Sequence, residues 1–133
     1  YWMHPDSPDD YLKLIQDIDR KSIGVHLDYA NMINGFEKYR NSREFIKECF
    51  RKLGPLTKSI HAKDLILKPV PPCCISETIP GTGTIDFRLV LRLADRLDED
   101  MPVFVEHLET LDEYEIALHC LKTAWQEENN SNG

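Results

Sequence analysis

The 133-residue sequence has no surplus of positive charge, which argues against nucleic acid as a partner. Asp and Glu number 23 against 16 Lys and Arg, so the formal net charge is −7. An acidic surface repels a phosphate backbone. The sequence also lacks an apolar run near the roughly 20 residues that span a bilayer, and no signal-peptide pattern opens it. We therefore expect neither a nucleic-acid partner nor a membrane contact.

Cysteines are few, and their spacing does not suit metal or disulfide chemistry. The four residues (Cys49, Cys73, Cys74 and Cys120) include no CxxC pair, so neither a structural zinc site nor a disulfide framework is indicated. Free thiols are typical of a reducing compartment, and we expect a cytoplasmic protein. The chain begins with Tyr1 rather than methionine, so we expect the natural sequence to begin earlier.

Hydrophobic periodicity predicts helices that alternate with short strands. Helices are predicted over 6–19, 41–54, 85–98 and 112–128, and strands over 22–28, 57–64 and 102–108. A long proline-rich loop running through PGTG is predicted after the second strand, and the final NNSNG is predicted to be a frayed tail. Alternating elements favour parallel strands joined by crossover helices, all within one domain over 1–133.

Two α/β architectures fit this order of elements. A doubly wound sheet usually carries a glycine-rich turn after its first strand, and no GxGxxG follows any predicted strand. A (β/α)8 barrel needs about 250 residues, and three strand–helix units make a little under half of one. The sequence therefore predicts an incomplete (β/α)8 barrel.

Each predicted strand ends on a side chain that can bind a metal: Asp28, His61 and Glu106. Strand ends form one rim in a (β/α)8 barrel, so these residues are expected to meet in space. Oxygen and nitrogen donors together suit Mn²⁺, Mg²⁺, Co²⁺ or Zn²⁺. Taken singly, each residue could instead be a helix cap, a turn former or a hydrogen-bonded core side chain.

Four motifs resemble the xylose isomerase-like TIM-barrel family of sugar and sugar phosphate isomerases and epimerases. GVHLDYANMI is similar to the sixth strand of that family, IHAKD to the seventh and PVFVEHLET to the eighth, while IPGTGTIDF is similar to its pGxGxiDf loop. The resemblance covers about Pro5 to Trp125, and it implies the C-terminal part of a TIM barrel.

The resemblance also implies a metal site and a mechanism. Asp28, His61 and Glu106 correspond to three of the four ligands of a divalent ion, with Mn²⁺ favoured over Mg²⁺, Co²⁺ or Zn²⁺. Glu106 corresponds to a catalytic acid/base in proton transfer through an enediolate of a sugar, sugar phosphate or polyol. The fourth ligand, a second glutamate on the fifth strand, is expected ahead of Tyr1.

Three further residues are predicted to bind substrate: Asn31, Lys63 and Asp64. Asn31 could bond a sugar hydroxyl or cap a helix, and Lys63 could face an oxyanion with Asp64 as its ion-pair partner or belong to a solvated charge pair. Ketohexose epimerases carry histidine at the position of Asn31, and arginine where this chain has Leu67 and Lys68. Both departures argue against that substrate class.

His26 and His107 alternate with the predicted ligands, so they are expected to point into the helix layer. Two other functions remain open. An endonuclease IV-like repair enzyme shares the barrel, but its seventh strand resembles HxNDS, where this chain has HAKD. A half-barrel without activity is the other alternative. Its two open sheet edges predict a homo-oligomer.

Overall fold

The computed structural model describes residues 4–131, which form a parallel three-stranded sheet, an antiparallel hairpin and six α-helices. The helices are α1 (Pro8–Ile18), α2 (Tyr29–Met32), α3 (Phe36–Arg40), α4 (Ser42–Leu53), α5 (Phe87–Leu97) and α6 (Leu111–Ser131). The strands are β1 (Val25–Leu27), β2 (Thr57–His61), β3 (Asp64–Lys68), β4 (Cys74–Thr78) and β5 (Val103–Phe104).

Local capping chemistry explains where the longer helices begin. The Ser7 hydroxyl accepts a hydrogen bond from the Asp10 backbone N–H at 3.2 Å, and Pro8 occupies the first turn, where it has no bond to lose. At the start of α5, the Asp86 carboxylate accepts from the Leu89 N–H at 3.0 Å. These caps set the first turns of α1 and α5 at the positions that the sequence predicts.

The parallel sheet has the strand order β1–β2–β5. Leu27 lies opposite Ile60, and Ile60 lies opposite Val103. Leu27 and Ile60 are fully buried, and they share one hydrophobic core with Ile46 of α4 and Val90 of α5. The core therefore lies between the sheet and the helices, and the carboxyl ends of all three strands meet at one edge.

The prediction of a long loop after β2 is wrong, because most of this segment forms a hairpin. β3 and β4 pair antiparallel, with Asp64 opposite Thr78 and Lys68 opposite Cys74. Prolines occupy only the connection between the two strands, so every residue in the ladder keeps its backbone N–H. Two short helices, α2 and α3, were also not predicted.

The predicted frayed tail is only partly correct. α6 continues to Ser131, so three of the five residues of NNSNG are helical, and the last two lie outside the described residues. Within residues 4–131, no helix is both long enough and apolar enough to cross a membrane.

The inner face of the sheet, which points away from the helices, is open in the described chain. Phe104 projects from it with 52% of its surface exposed, and His26 on β1 is exposed as well. β1 and β5 are edge strands, so each has one side without a ladder partner in residues 4–131. Exposed edges and apolar side chains favour association with another chain.

We expect the 133-residue chain to self-associate through this face. Light scattering at micromolar concentrations should give a mass of at least two chains, and Phe104→Glu should shift the protein toward the monomer. Leu111→Glu is the matched control, because Leu111 is 81% exposed but lies on α6, away from the sheet. A monodisperse monomer for the unsubstituted chain would contradict this expectation.

Candidate metal centre

Asp28, His61 and Glu106 converge at the carboxyl edge of the sheet, and we call them the strand-end cluster. One ligand atom from each lies within 4.8 Å of the others. His61 Nδ1 is 3.2 Å from Asp28 Oδ2 and 3.1 Å from Glu106 Oε1. The structure thus brings together the three residues that the sequence predicts as ligands. Their role in holding a metal remains a prediction.

The strand register explains this convergence. Leu27 pairs with Ile60, so Asp28, the residue directly after β1, is level with His61. His61 in turn pairs with Phe104, and Glu106 follows two residues later on the same side of the chain. Side chains two residues apart on a strand share a face, which places the cluster on the inner face.

Asn31 supports the Asp28 carboxylate. Its backbone N–H donates to Asp28 Oδ1 at 3.0 Å, and its side-chain amide donates to Oδ2 at 2.7 Å. Asp28 is therefore the N-cap of α2 as well as a member of the cluster. Asn31 also lines a cavity of about 440 Å³ beside Tyr11 and Glu77. Of the two predicted roles, the structure shows the capping contact, and substrate binding stays a prediction.

The Lys63 ammonium lies among the carboxylates. Its Nζ is 2.8 Å from Glu106 Oε1 and 3.1 Å from Asp28 Oδ2. A third carboxylate, Glu77 Oε2, lies 3.8 Å away, and only 2% of the lysine side chain is exposed. Lys63 therefore offsets one of the two negative charges of the cluster, instead of standing in solvent with Asp64 as its partner.

These contacts shift two pKa values in directions that keep both groups charged. Burial alone would raise the pKa of Glu106, but the hydrogen bond and charge of Lys63 outweigh it, and the pKa falls below its usual value. Burial alone would lower the pKa of Lys63, but Glu106 and Asp28 together raise it above the ordinary value. Glu106 is thus a carboxylate at neutral pH and can accept a proton.

Asp64, predicted to bind substrate, has a different role in the structure. It is fully buried, and its two oxygens accept four backbone N–H groups at 2.8–2.9 Å, from Leu65, Gly81, Gly83 and Ile85. A side chain at Gly83 would collide with this carboxylate. Asp64 therefore fixes the PGTG loop against β3. Its oxygens are already occupied, so the prediction that it pairs with Lys63 and binds substrate does not hold.

The prediction that His26 points into the helix layer is wrong. His26 lies two residues before Asp28, so both side chains are on the inner face. Its ring meets the His61 ring edge-on, with centroids 3.8 Å apart, and its Nδ1 shares a hydrogen bond with the Ser59 hydroxyl. Burial, followed by the charge of His61, lowers the pKa of His26, which favours a neutral neighbour for the cluster.

His107 also contradicts its prediction, because it lies beside the cluster. Its backbone has a φ of 60°, which turns the chain just past the end of β5. His107 Nε2 comes within 3.5 Å of Glu106 Oε1, and Nδ1 lies 3.2 Å from Glu77 Oε1. It therefore links a carboxylate of the sheet to a carboxylate of the hairpin.

Glu77 is the site residue that the sequence analysis missed. It lies on β4, contacts Lys63 and His107, and borders both the 440 Å³ cavity and a second cavity of about 310 Å³. Glu77 could have been found only by predicting the hairpin of β3 and β4. Once β3 and β4 are paired, Glu77 lies opposite Leu65, four residues after His61.

A second acidic group lies at the start of α1, where His4 is 3.8 Å from Asp6 and 3.9 Å from Asp10. The Asp10 carboxylate accepts the Ser7 hydroxyl at 2.7 Å and so belongs to the helix cap. His4 is largely exposed. This group is explained by capping and surface charge.

No protein-family model and no curated protein matches the chain. Among solved structures, it is similar to a xylose isomerase domain protein from Planctomyces limnophilus, with 26% identity and a TM-score of 0.72 over 93% of this chain and 45% of that one. The chain is thus similar to xylose isomerase-like TIM-barrel proteins, and it shares their fold over nearly its whole length. This result confirms the predicted resemblance and the predicted fold, part of a (β/α)8 barrel.

A xylose isomerase-like TIM-barrel protein from Mycobacterium smegmatis, solved in complex with magnesium, is also similar to the chain. It shows 22% identity and a TM-score of 0.60 over 89% of this chain and 40% of that one. The chain therefore spans less than half of the length of either xylose isomerase-like structure.

Asp64→Ala should destabilise the fold strongly, because four backbone N–H groups would lose their acceptor. We expect a loss of about 3–5 kcal/mol in the free energy of unfolding, measured by urea titration. Asp95→Ala, on the exposed side of α5, is the control and should change stability by less than about 0.5 kcal/mol. Equal effects of the two substitutions would contradict the anchoring role of Asp64.

Proposed function

We propose that the chain supplies the metal-holding and proton-transfer residues of a divalent-metal-dependent isomerase or epimerase. The substrate class is a sugar, a sugar phosphate or a related polyol. The convergence of Asp28, His61 and Glu106 within 4.8 Å carries this proposal. Similarity to xylose isomerase-like structures supports the same reaction class.

The residues of the strand-end cluster fit a divalent cation. Two carboxylates and an imidazole offer three donors of the mixed type that Mn²⁺, Mg²⁺, Co²⁺ and Zn²⁺ accept. A positive charge already lies among them, since the Lys63 ammonium contacts both carboxylates. The similar M. smegmatis protein is in complex with magnesium, which supports a hard divalent ion. Two of the three donors are carboxylates, a ligand type that suits Mn²⁺ and Mg²⁺, and we take Mn²⁺ as the ion to test.

A bound divalent ion would polarise the substrate carbonyl and stabilise the negative charge that develops on it. Glu106 would be the base, because its carboxylate is ionised at neutral pH and lies within the cluster, 3.1 Å from His61 Nδ1. It would take the proton from the carbon beside the carbonyl and later return a proton. Asn31 holds Asp28 in place by two hydrogen bonds and borders the cavity, where it would meet a sugar hydroxyl.

The space beside the cluster suits a small polar molecule. The larger cavity, of about 440 Å³, falls within the about 300–1,000 Å³ that small-molecule sites occupy. Asn31 and Glu77 provide polar groups in its wall, and Tyr11 and Leu65 provide apolar surface. A sugar offers both hydroxyl groups and C–H faces, so this mixed lining matches its chemistry.

Titration calorimetry with Mn²⁺ tests the metal centre. The unsubstituted chain should bind one ion, and Asp28→Ala and His61→Ala should each weaken binding at least about tenfold, because loss of even a ligand's partner commonly costs 10–100-fold. Asp17→Ala removes an exposed carboxylate on α1 and serves as the control. Unchanged affinity in both cluster variants would remove the basis of the proposal.

Exchange of a carbon-bound hydrogen with solvent tests the proton transfer. In D₂O, the Mn²⁺-loaded chain should incorporate deuterium beside the carbonyl of at least one member of a panel of ketoses and their phosphates, as seen by proton NMR. Glu106→Gln should lower the rate at least about 100-fold, the lower range for loss of a general base. Exchange that proceeds equally in Glu106→Gln would assign the proton transfer to another group.

A further inference from the structure

The Lys63 ammonium contacts the two carboxylates, Asp28 and Glu106, that would bind a metal ion. We propose that it is a displaceable counter-ion, which competes with the divalent ion for Asp28 and Glu106 and withdraws to Glu77 when the ion binds. This inference rests on the metal centre proposed above and deepens it, because it names the group that sets the affinity of that centre.

The competition follows from shared atoms. Asp28 Oδ2 faces His61 Nδ1 at 3.2 Å and Lys63 Nζ at 3.1 Å. Glu106 Oε1 faces the same two groups, at 3.1 Å and 2.8 Å. An ion held between these oxygens and the imidazole would lie a few ångströms from the ammonium. Two cations at that separation in a buried site repel strongly, so they exclude each other.

The lysine has another partner within reach. Glu77 Oε2 is already 3.8 Å from Nζ. A small movement of the lysine side chain would therefore replace its contacts with Asp28 and Glu106 by one with Glu77. A lysine stem has four flexible carbons, which makes such a movement easy. The backbone stays fixed meanwhile, because Tyr29 donates its hydroxyl to the Lys63 carbonyl at 3.2 Å and the neighbouring Asp64 is fully buried.

This arrangement has two effects on the site. Without metal, the ammonium relieves the repulsion between Asp28 and Glu106, so the empty site stays folded. With Lys63 in place, only the fraction of molecules in which it has moved can take the ion, and the apparent affinity falls by that fraction. Metal binding would then move a positive charge toward Glu77, which borders both cavities.

Removing the lysine charge tests the competition. Lys63→Met should bind Mn²⁺ at least about tenfold more tightly than the unsubstituted chain by calorimetry, and Lys63→Gln should do the same while keeping an N–H donor. Lys58→Met, at an exposed residue near the start of β2, is the matched control for losing one positive charge and should stay within about threefold.

Thermal unfolding gives a second readout that does not depend on affinity fits. Metal-free Lys63→Met should unfold at a lower temperature than the unsubstituted chain, because the buried Asp28 and the partly exposed Glu106 lose their counter-charge. Saturating Mn²⁺ should raise its unfolding temperature by more than it raises that of the unsubstituted chain. An equal rise in both would overturn the proposal.

A double-mutant cycle tests the withdrawal to Glu77. Glu77→Gln should weaken Mn²⁺ binding in the unsubstituted chain, because the displaced ammonium loses its second partner. In the Lys63→Met background the same substitution should have little effect. A loss of equal size in both backgrounds would mean that Glu77 acts on the ion directly, and it would overturn the withdrawal.

The outcomes separate this inference from the metal centre. If Lys63→Met and the unsubstituted chain bind Mn²⁺ equally, the centre stands and the competition is refuted. If the unsubstituted chain, Lys63→Met and Lys63→Gln all fail to bind Mn²⁺, the metal centre itself is refuted. The ion pairs of Lys63 would then have a structural role only.

Discussion

Charge balance at the carboxyl edge of the parallel sheet governs this site. Asp28, Glu106 and Glu77 surround one ammonium. Asp28 and Glu106 meet because their strands run in the same direction, and the antiparallel hairpin brings Glu77 to them. Three carboxylates so close together repel one another unless a cation accompanies them. The lysine supplies that cation within the chain, and a divalent ion would supply it from outside.

The hairpin of β3 and β4 links this charge balance to the fold. It leaves the sheet directly after His61 and returns Glu77 to the cluster, while the buried Asp64 carboxylate fastens the PGTG loop at its base. Lys63 and Asp64 are neighbours in sequence but have separate tasks. One side chain faces the carboxylates, and the other binds backbone N–H groups. The position of the lysine is therefore determined by the same contacts that hold the loop.

The sequence could predict the strand-end cluster because it depends only on strand direction and on a two-residue period. Asp28, His61 and Glu106 each follow a recognisable apolar run. Because the three strands are parallel, these residues lie at the same edge of the sheet. Glu77 could not be found in this way, since the prolines near it concealed a strand. The ion-pair partners of Lys63 could not be predicted either, because its long side chain contacts groups that are far apart in the sequence.

The errors at the histidines have simple geometric causes. His26 shares the parity of Asp28, so the two-residue period places it on the inner face, and the opposite expectation was a miscount of that parity. His107 follows the end of β5, where a backbone turn with φ of 60° breaks the period. Parity still holds at Asp28 and Glu106, just past the ends of their strands, and it fails at His107, where the backbone φ is positive.

The clamp at Asp64 leaves the far end of the hairpin independent of the cluster. Val70 in the connection between β3 and β4 is 62% exposed, and Cys73 and Cys74 are exposed too. The hairpin is thus anchored at its base, whereas its tip is exposed. The connection between the two strands could therefore be exchanged for segments of other length without disturbing the ion pairs at the base of the hairpin.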